Sequence, residues 1–317
     1  MSDTRVGVVD IGTNSTRLLI ADVRGDDSIV EIERRTTVTR LGDGVERTGA
    51  LADAAMARVH ATLAEYRRAI DARGVETTVA VLTSAVRDAG NGAAFAQRVG
   101  DEYGFEARPI DGDEEARLTY LGAARDGDGT PTVVIDIGGG STEFVVGRGA
   151  EVEFHVSTQA GVVRHTERHV ANDPPTPDEL DALTADVRHL FAAHLPEDVR
   201  ASARAAIAVA GTPLSLAAID LDLDCYDSNV VHGRKLSIAA CRRILERLAA
   251  LPNEERRRVR GLLPERAPTI IAGAVMLIEA LAAFSLDATE VSDQDILHGA
   301  ALATVRAARA NGSPRHA

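Results

Sequence analysis

The feature that most constrains this chain is a phrase that it uses twice. "DIGTNSTRLLI" occupies residues 10 to 20, and "DIGGGSTEFVV" occupies residues 136 to 146. Aligned without gaps, Asp10, Ile11, Gly12, Ser15 and Thr16 meet Asp136, Ile137, Gly138, Ser141 and Thr142, and apolar residues follow in both. Each phrase reads as a strand, a tight glycine turn and a second strand. A chain that makes the same turn twice calls for a duplicated architecture.

The patterning around the two phrases supports that. Strands are expected at 6–9, 17–22 and 29–39, and a helix at 51–72, where Met56, Val59, Leu63, Tyr66 and Ile70 step by three and four along one face. A strand at 77–82, a helix at 92–103, a strand at 106–110 and a helix from 113 complete the order βββαβαβα. After the second phrase the order is similar: strands at 132–135, 143–146 and 151–157, then helices at 162–170 and 177–194. Between those helices "NDPPTP" forbids a continuous one. A strand at 205–209, helices at 237–251 and 269–284, a strand at 288–291 and a closing helix from 293 follow. Two α/β domains, residues 1–125 and 126–317, would then face each other across a cleft. One ligand could be gripped by a glycine turn from each side.

The chemistry of the turns points to phosphate. Glycine lets a backbone turn sharply and approach a ligand closely, and successive amides in such a turn form a concave nest of donors. Gly138, Gly139, Gly140, Ser141 and Thr142 would supply the second nest, and Gly12, Thr13, Asn14 and Ser15 the first. Neither phrase is a P-loop, because no Gly-Lys-Ser/Thr follows, nor a dinucleotide fingerprint, because a strand comes next. Asp10 and Asp136 would repel a phosphate unless a cation intervened, and hard oxygen ligands suit Mg²⁺. Glu143 follows the second turn where Arg17 follows the first. One wall could hold metal through Asp10, Asp136 and Glu143 while Arg17 neutralises phosphate directly.

Bulk properties narrow the partners. A formal net charge of −13 disfavours nucleic acid and anionic membrane, so an anionic substrate needs a local site. Cys225 and Cys241 form no zinc spacing or disulfide framework, and the N-terminus shows no signal pattern, so a reducing cytoplasm is expected. "TIIAGAVMLIEALAAF" is too short to span a bilayer and carries Glu279, so it reads as a buried core helix.

Together "DIGTNSTRLLIADV" and "DIGGGSTEFVVG" resemble the phosphate motifs of the exopolyphosphatase and guanosine pentaphosphate phosphatase family. Further matches follow in order: "LTSAVRDAGN", "IDGDEEARLTYLG", "GVVRHTERH", "AGTPLSLAAID" and "VSDQDILHGAAL". The resemblance implies an α/β fold of two duplicated actin-like (ribonuclease H-like) domains with an interdomain cleft. It implies hydrolysis of a terminal phosphoanhydride with Mg²⁺, and a cytoplasmic homodimer. Glu115, before Ala116-Arg117, would activate water, with partial burial and nearby carboxylates raising its pKa. Glu114 beside it would serve the helix start, and Arg87 would bind phosphate oxygens with its fork. The chain has no His-Asp dipeptide and so resembles the short, two-domain form; Pro268 and Leu297 depart from residues common in relatives.

The substrate implied is inorganic polyphosphate of short chain length, with guanosine pentaphosphate as the alternative. A kinase-like phosphotransferase and a nucleotide-sensing scaffold rank lower, because Glu115 and both turns are intact. Gly211 and Thr212 could admit a purine, and Arg256 and Arg257, within "EERRRVRG", could dock a polyanion tail or simply cover a solvated helix end. The His165/His169 pair reads as no metal site, and "LDLDCYD" at 221–227 as a solvated acidic loop.

Overall fold

The computed structural model describes residues 3–124, 129–149, 151–224 and 227–312. The chain forms two compact units, Met1–Gly122 with Ile296–Ala317, and Ala123–Asp295.

The first unit begins with β1 (Thr4–Ile11), β2 (Ser15–Val23) and β3 (Ile29–Val38). A short α1 (Val45–Thr48), the long α2 (Asp53–Ala72) and β4 (Thr77–Leu82) follow. Then come α3 (Ser84–Asp88), α4 (Gly92–Tyr103), β5 (Glu106–Pro109) and α5 (Gly112–Ala123). The sheet runs β3-β2-β1-β4-β5, antiparallel across β1–β3 and parallel across β1, β4 and β5. Alternation along β1 sends Val9 and Ile11 into a core with α2 and α4, and Val6 and Val8 into another on the opposite face. Because both faces are covered, the strand reads as a continuous apolar run.

The second unit opens with β6 (Thr132–Ile137), β7 (Thr142–Arg148) and β8 (Glu151–Thr158). Helices α6 (Val162–His169), α7 (Pro177–His194) and α8 (Glu197–Ser202) precede β9 (Ala205–Val209). Next are α9 (Gly211–Asp220), α10 (Ser228–Val231), β10 (Arg234–Ser237), α11 (Ile238–Ala249) and α12 (Asn253–Arg256). The unit closes with α13 (Ile270–Ala283) and β11 (Ala288–Val291). Its sheet runs β10-β11-β9-β6-β7-β8. Read from the other edge, that is the first unit's order with β10 added. The 269–284 stretch is α13, with Ile270 to Leu281 buried in the core, as expected. Among the described residues no helix is long and apolar enough to cross a membrane.

Two expectations are corrected. The strand β10 falls at 234–237, just ahead of the expected helix; "RKLS" pairs with β11 and offers a single apolar residue, Leu236, as its signal. The closing helix α14 (Ile296–Gly312) was expected in the second domain but belongs to the first unit. Its Leu297, Ala300, Ala301, Leu302 and Val305 share a core with Val6, Val8, Leu19 and Val23, and so complete the cover of that sheet face. The expected boundary at residue 125 lies outside the described residues.

Candidate active site

Each repeated phrase folds as a β-hairpin, and the two hairpins share one register. In β1–β2, Asp10 lies opposite Arg17 and Ile11 opposite Thr16; in β6–β7, Asp136 lies opposite Glu143 and Ile137 opposite Thr142. The Gly12 amide donates to the Ser15 carbonyl at 2.9 Å, and the Gly138 amide to the Ser141 carbonyl at 2.9 Å. A β-carbon at Gly12 or Gly138 would stand 3.1 or 3.0 Å from that carbonyl oxygen, which is why glycine opens both turns.

The loop carbonyls are bound to the surrounding unit. The Thr13 carbonyl accepts from the Gly42 amide at 2.9 Å, and that of Asn14 from Thr39 and Arg40 at 3.1 and 2.9 Å. In the second hairpin the Gly138 and Gly139 carbonyls accept from the Val162 and Val163 amides at 3.0 and 2.8 Å. The Gly140 carbonyl accepts from Arg164 Nε at 3.0 Å. A trans peptide points its N–H opposite to its C=O. The amides of Asn14 and Ser15, and of Gly139, Gly140 and Ser141, therefore turn away from those partners, as a phosphate nest requires.

Two of the expected phosphate-binding side chains serve the scaffold instead. Thr142 is fully buried, and its hydroxyl donates to the Ala160 carbonyl at 2.5 Å. Thr13 Oγ1 bonds Ser84 Oγ at 2.8 Å and accepts from the Ala85 amide at 3.2 Å, fastening the first turn to α3.

The cross-strand residue separates the two hairpins electrostatically. Asp10 is held by Arg17, with Nε at 2.7 Å and Nη2 at 2.6 Å, so its charge is compensated within the hairpin. Asp136 and Glu143 are both carboxylates on one sheet face, 7% and 1% exposed, and Ser157 donates to Glu143 Oε1 at 2.7 Å. Like charges directly opposite on a sheet are unfavourable, and a divalent cation neutralises two at once. Among the described residues no three His, Cys, Asp or Glu side chains converge as a metal cage. The Asp136–Glu143 pair thus fits an ion that takes one or two carboxylates and keeps waters, as Mg²⁺ does. Asp10, expected on the metal, is engaged by Arg17.

The first unit brings Arg87 and Glu115 together although they are 28 positions apart. β1 and β4 end side by side at Ile11 and Leu82, and the Thr83 amide donates to the Ile11 carbonyl at 3.2 Å. Helix α3 starts there and ends near Arg87, whose Nη1 donates to the Ile110 carbonyl at 3.1 Å and to Glu115 Oε2 at 3.1 Å. Asp111 Oδ1 caps α5 by accepting from the Glu114 amide at 2.8 Å. Glu114 itself takes the Arg108 fork at 2.6 and 2.5 Å, which leaves Glu115, 7% exposed, as the inward acid of that turn. One charge beside Glu115 is the Arg87 guanidinium.

The remaining candidates are engaged within the second unit. Arg256 is 3% exposed; it donates to the Leu251 and Ala267 carbonyls at 3.0 and 3.2 Å and pairs with Asp173, so it braces the core and docks no tail. Arg257 pairs with Glu254 at 3.5 Å, and Arg260 with Asp222 and Asp224 at 3.3 and 2.9 Å, which accounts for part of the acidic loop. Cys225 lies outside the described residues. A β-carbon at Gly211 would overlap the Arg266 guanidinium, and Thr212, 5% exposed, packs against Gly273, so its side chain faces the core. His165 and His169 share Asp186, with Nε2 at 3.6 and 2.7 Å. Burial pushes the His165 imidazole down to about 4. Sequence reasoning did not single out Arg164, Ser157 or the 39–42 segment. Arg164 stood within a quoted motif, but nothing in spacing shows a side chain reaching a loop carbonyl 24 positions away.

The sequence pattern of the Ppx/GppA phosphatase family matches residues 19–307. Exopolyphosphatase 2 of Mycobacterium tuberculosis is 36% identical over 319 aligned residues, covering 95% of this chain and 99% of that protein. A bifunctional 3-dehydroquinate synthase/phosphatase of Fusobacterium nucleatum is 32% identical, over 93% of this chain and 46% of its own length. Among solved structures, an exopolyphosphatase-like protein superposes with a TM-score of 0.90 at 33% identity, covering 96% of this chain and all (100%) of that one. The Aquifex aeolicus Ppx/GppA family member gives 0.82 at 32% identity, over 98% of this chain and 100% of that one. With the duplicated hairpin and the Arg87–Glu115 pair in place, this chain belongs to the Ppx/GppA phosphatase family.

Proposed function

We propose that the protein releases terminal orthophosphate from inorganic polyphosphate by water attack, with Glu115 as the proton acceptor. The observation that carries this reading is the Arg87–Glu115 pair on elements fastened to the first phosphate turn. Phosphoryl transfer needs positioning and charge neutralisation more than covalent help. In each unit the outward amides of the turn would bind phosphate oxygens; in the first, Arg17 and Arg87 would offset their charge and Glu115 would orient the water. As water oxygen bonds to the terminal phosphorus, the bridging P–O bond breaks and the water proton passes to the Glu115 carboxylate. Asp136 and Glu143 would hold Mg²⁺, which supplies further neutralisation of phosphate oxygens when bound.

Polyphosphate is preferred as substrate because relatives of nearly full length are named exopolyphosphatases. Guanosine pentaphosphate is the second arm of the test. The test is phosphate release with Mg²⁺ from short polyphosphate, long polyphosphate, guanosine pentaphosphate and ATP, with Glu115→Gln alongside. Release from polyphosphate that is lost in the variant supports the reading. Preference for the pentaphosphate would move the substrate, and no turnover of any of the four would overturn the hydrolase reading in favour of a scaffold.

A further inference from the structure

We propose that Arg164 is a positioning residue: it holds the Gly140 carbonyl and thereby aims the Ser141 amide at substrate phosphate. The inference rests on the functional reading above and names a part of the second turn that the reading does not use. Three consecutive glycines, Gly138 to Gly140, let backbone approach a ligand but have the largest conformational freedom of any residue. Such a loop forms a fixed nest only if its peptides are held from outside.

Helix α6 does most of that holding. Its first two amides, of Val162 and Val163, fix the Gly138 and Gly139 carbonyls. The close approach depends on Gly161, where a β-carbon would overlap the backbone of Gly139 and Gly140. The carbonyl of Gly140, the last of the three, is reached by a side chain: half-buried Arg164, one residue further along α6, donates to it from Nε at 3.0 Å. In the first turn, by contrast, the Thr13 and Asn14 carbonyls are held by backbone amides. A cationic donor on the Gly140 oxygen also polarises the Gly140–Ser141 peptide, which makes its N–H a stronger donor to an anion.

Two substitutions separate the roles. Gln places its amide nitrogen as many bonds from the backbone as Arg Nε, so Arg164→Gln keeps the donor without the charge. Arg164→Met keeps the apolar stem without a donor. Phosphate release from polyphosphate should show KM raised about tenfold in Arg164→Met, with kcat changed much less, and within about threefold of wild type in Arg164→Gln. Amide exchange at Gly139–Ser141, measured without substrate, should quicken in Arg164→Met and stay near wild type in Arg164→Gln. Wild-type KM and exchange in Arg164→Met would overturn the proposal. So would a Gln variant as impaired as the Met variant with exchange unchanged, since that marks direct charge contact with phosphate. If the wild-type protein released no phosphate, the functional reading would fail, while the exchange measurement would still decide whether Arg164 braces the turn.

Discussion

The hairpins at Asp10–Arg17 and Asp136–Glu143 share a register and a closing hydrogen bond, but they differ in the residue opposite the aspartate. In the first an arginine compensates the carboxylate; in the second another carboxylate joins it. On the proposed function, the same backbone device would be set for opposite charges, one to meet phosphate directly and one to meet it through a cation. The loops differ too. Thr13 ties the first to α3 through its own side chain, whereas the triple glycine of the second is held by α6. On that reading the nest occurs twice, and single positions give each copy its own charge and its own support.

With Asp10 paired to Arg17 and Asp136 and Glu143 assigned to metal, the proposed division of labour predicts that the largest loss of rate lies outside both hairpins. Glu115→Gln should lower kcat by about 10²–10⁴-fold with substrate binding retained, as measured by steady-state phosphate release and by calorimetric titration of polyphosphate. A variant that keeps wild-type kcat would place the base elsewhere, in one of the hairpins among other sites.

The supports can be compared through their glycines. Gly161→Ala drives a methyl into the Gly139 and Gly140 backbone and should cost about 1–3 kcal/mol in urea unfolding. Gly12→Ala meets its nearest atom at 3.1 Å and should cost less, under about 1 kcal/mol. Equal costs would mean that α6 yields freely and braces nothing.

A pH-dependent effect belongs to α6 and to Asp186 of α7, which it faces. Burial holds the folded His165 imidazole down to about 4, against the pull of Asp186, from an ordinary value of 6.5. Arg168 and His169 on α6 push the same way, while the Gly161 carbonyl favours the proton. Between those values the unfolded chain binds the proton and the folded one does not, so this stabilisation is full above pH 6.5 and lost on acidification. The loss between pH 6.5 and 5 should be about 2 kcal/mol in urea midpoints, and should shrink in His165→Gln.

Much of this architecture was legible because periodicity and repetition are local. The two phrases located both hairpins, α2 showed its apolar stripe, and α13 was apolar but for Glu279. What was not legible depends on which partner a side chain meets. An amphipathic α14 has a face to bury, but nothing in its sequence states that Val6 and Leu19 will receive it. Five residues containing four arginines read as a surface, yet Arg256 turns inward because two carbonyls and Asp173 satisfy its fork. Ser141 and Thr142 look alike in the phrase and both are buried, but the Thr142 hydroxyl donates to the Ala160 carbonyl. The Arg87–Glu115 pair was implied by resemblance alone, because spacing along the chain carries no information about that contact.

The claim that the hairpins divide metal and phosphate is tested most directly by Mg²⁺ activation curves for wild type, Arg17→Gln and Glu143→Gln. Glu143→Gln should raise the Mg²⁺ concentration for half-activation at least about tenfold, while Arg17→Gln raises the polyphosphate KM and leaves the Mg²⁺ midpoint within about twofold. An Arg17 variant that shifts the Mg²⁺ midpoint as far as the Glu143 variant, or a Glu143 variant that does not shift it, would contradict the division.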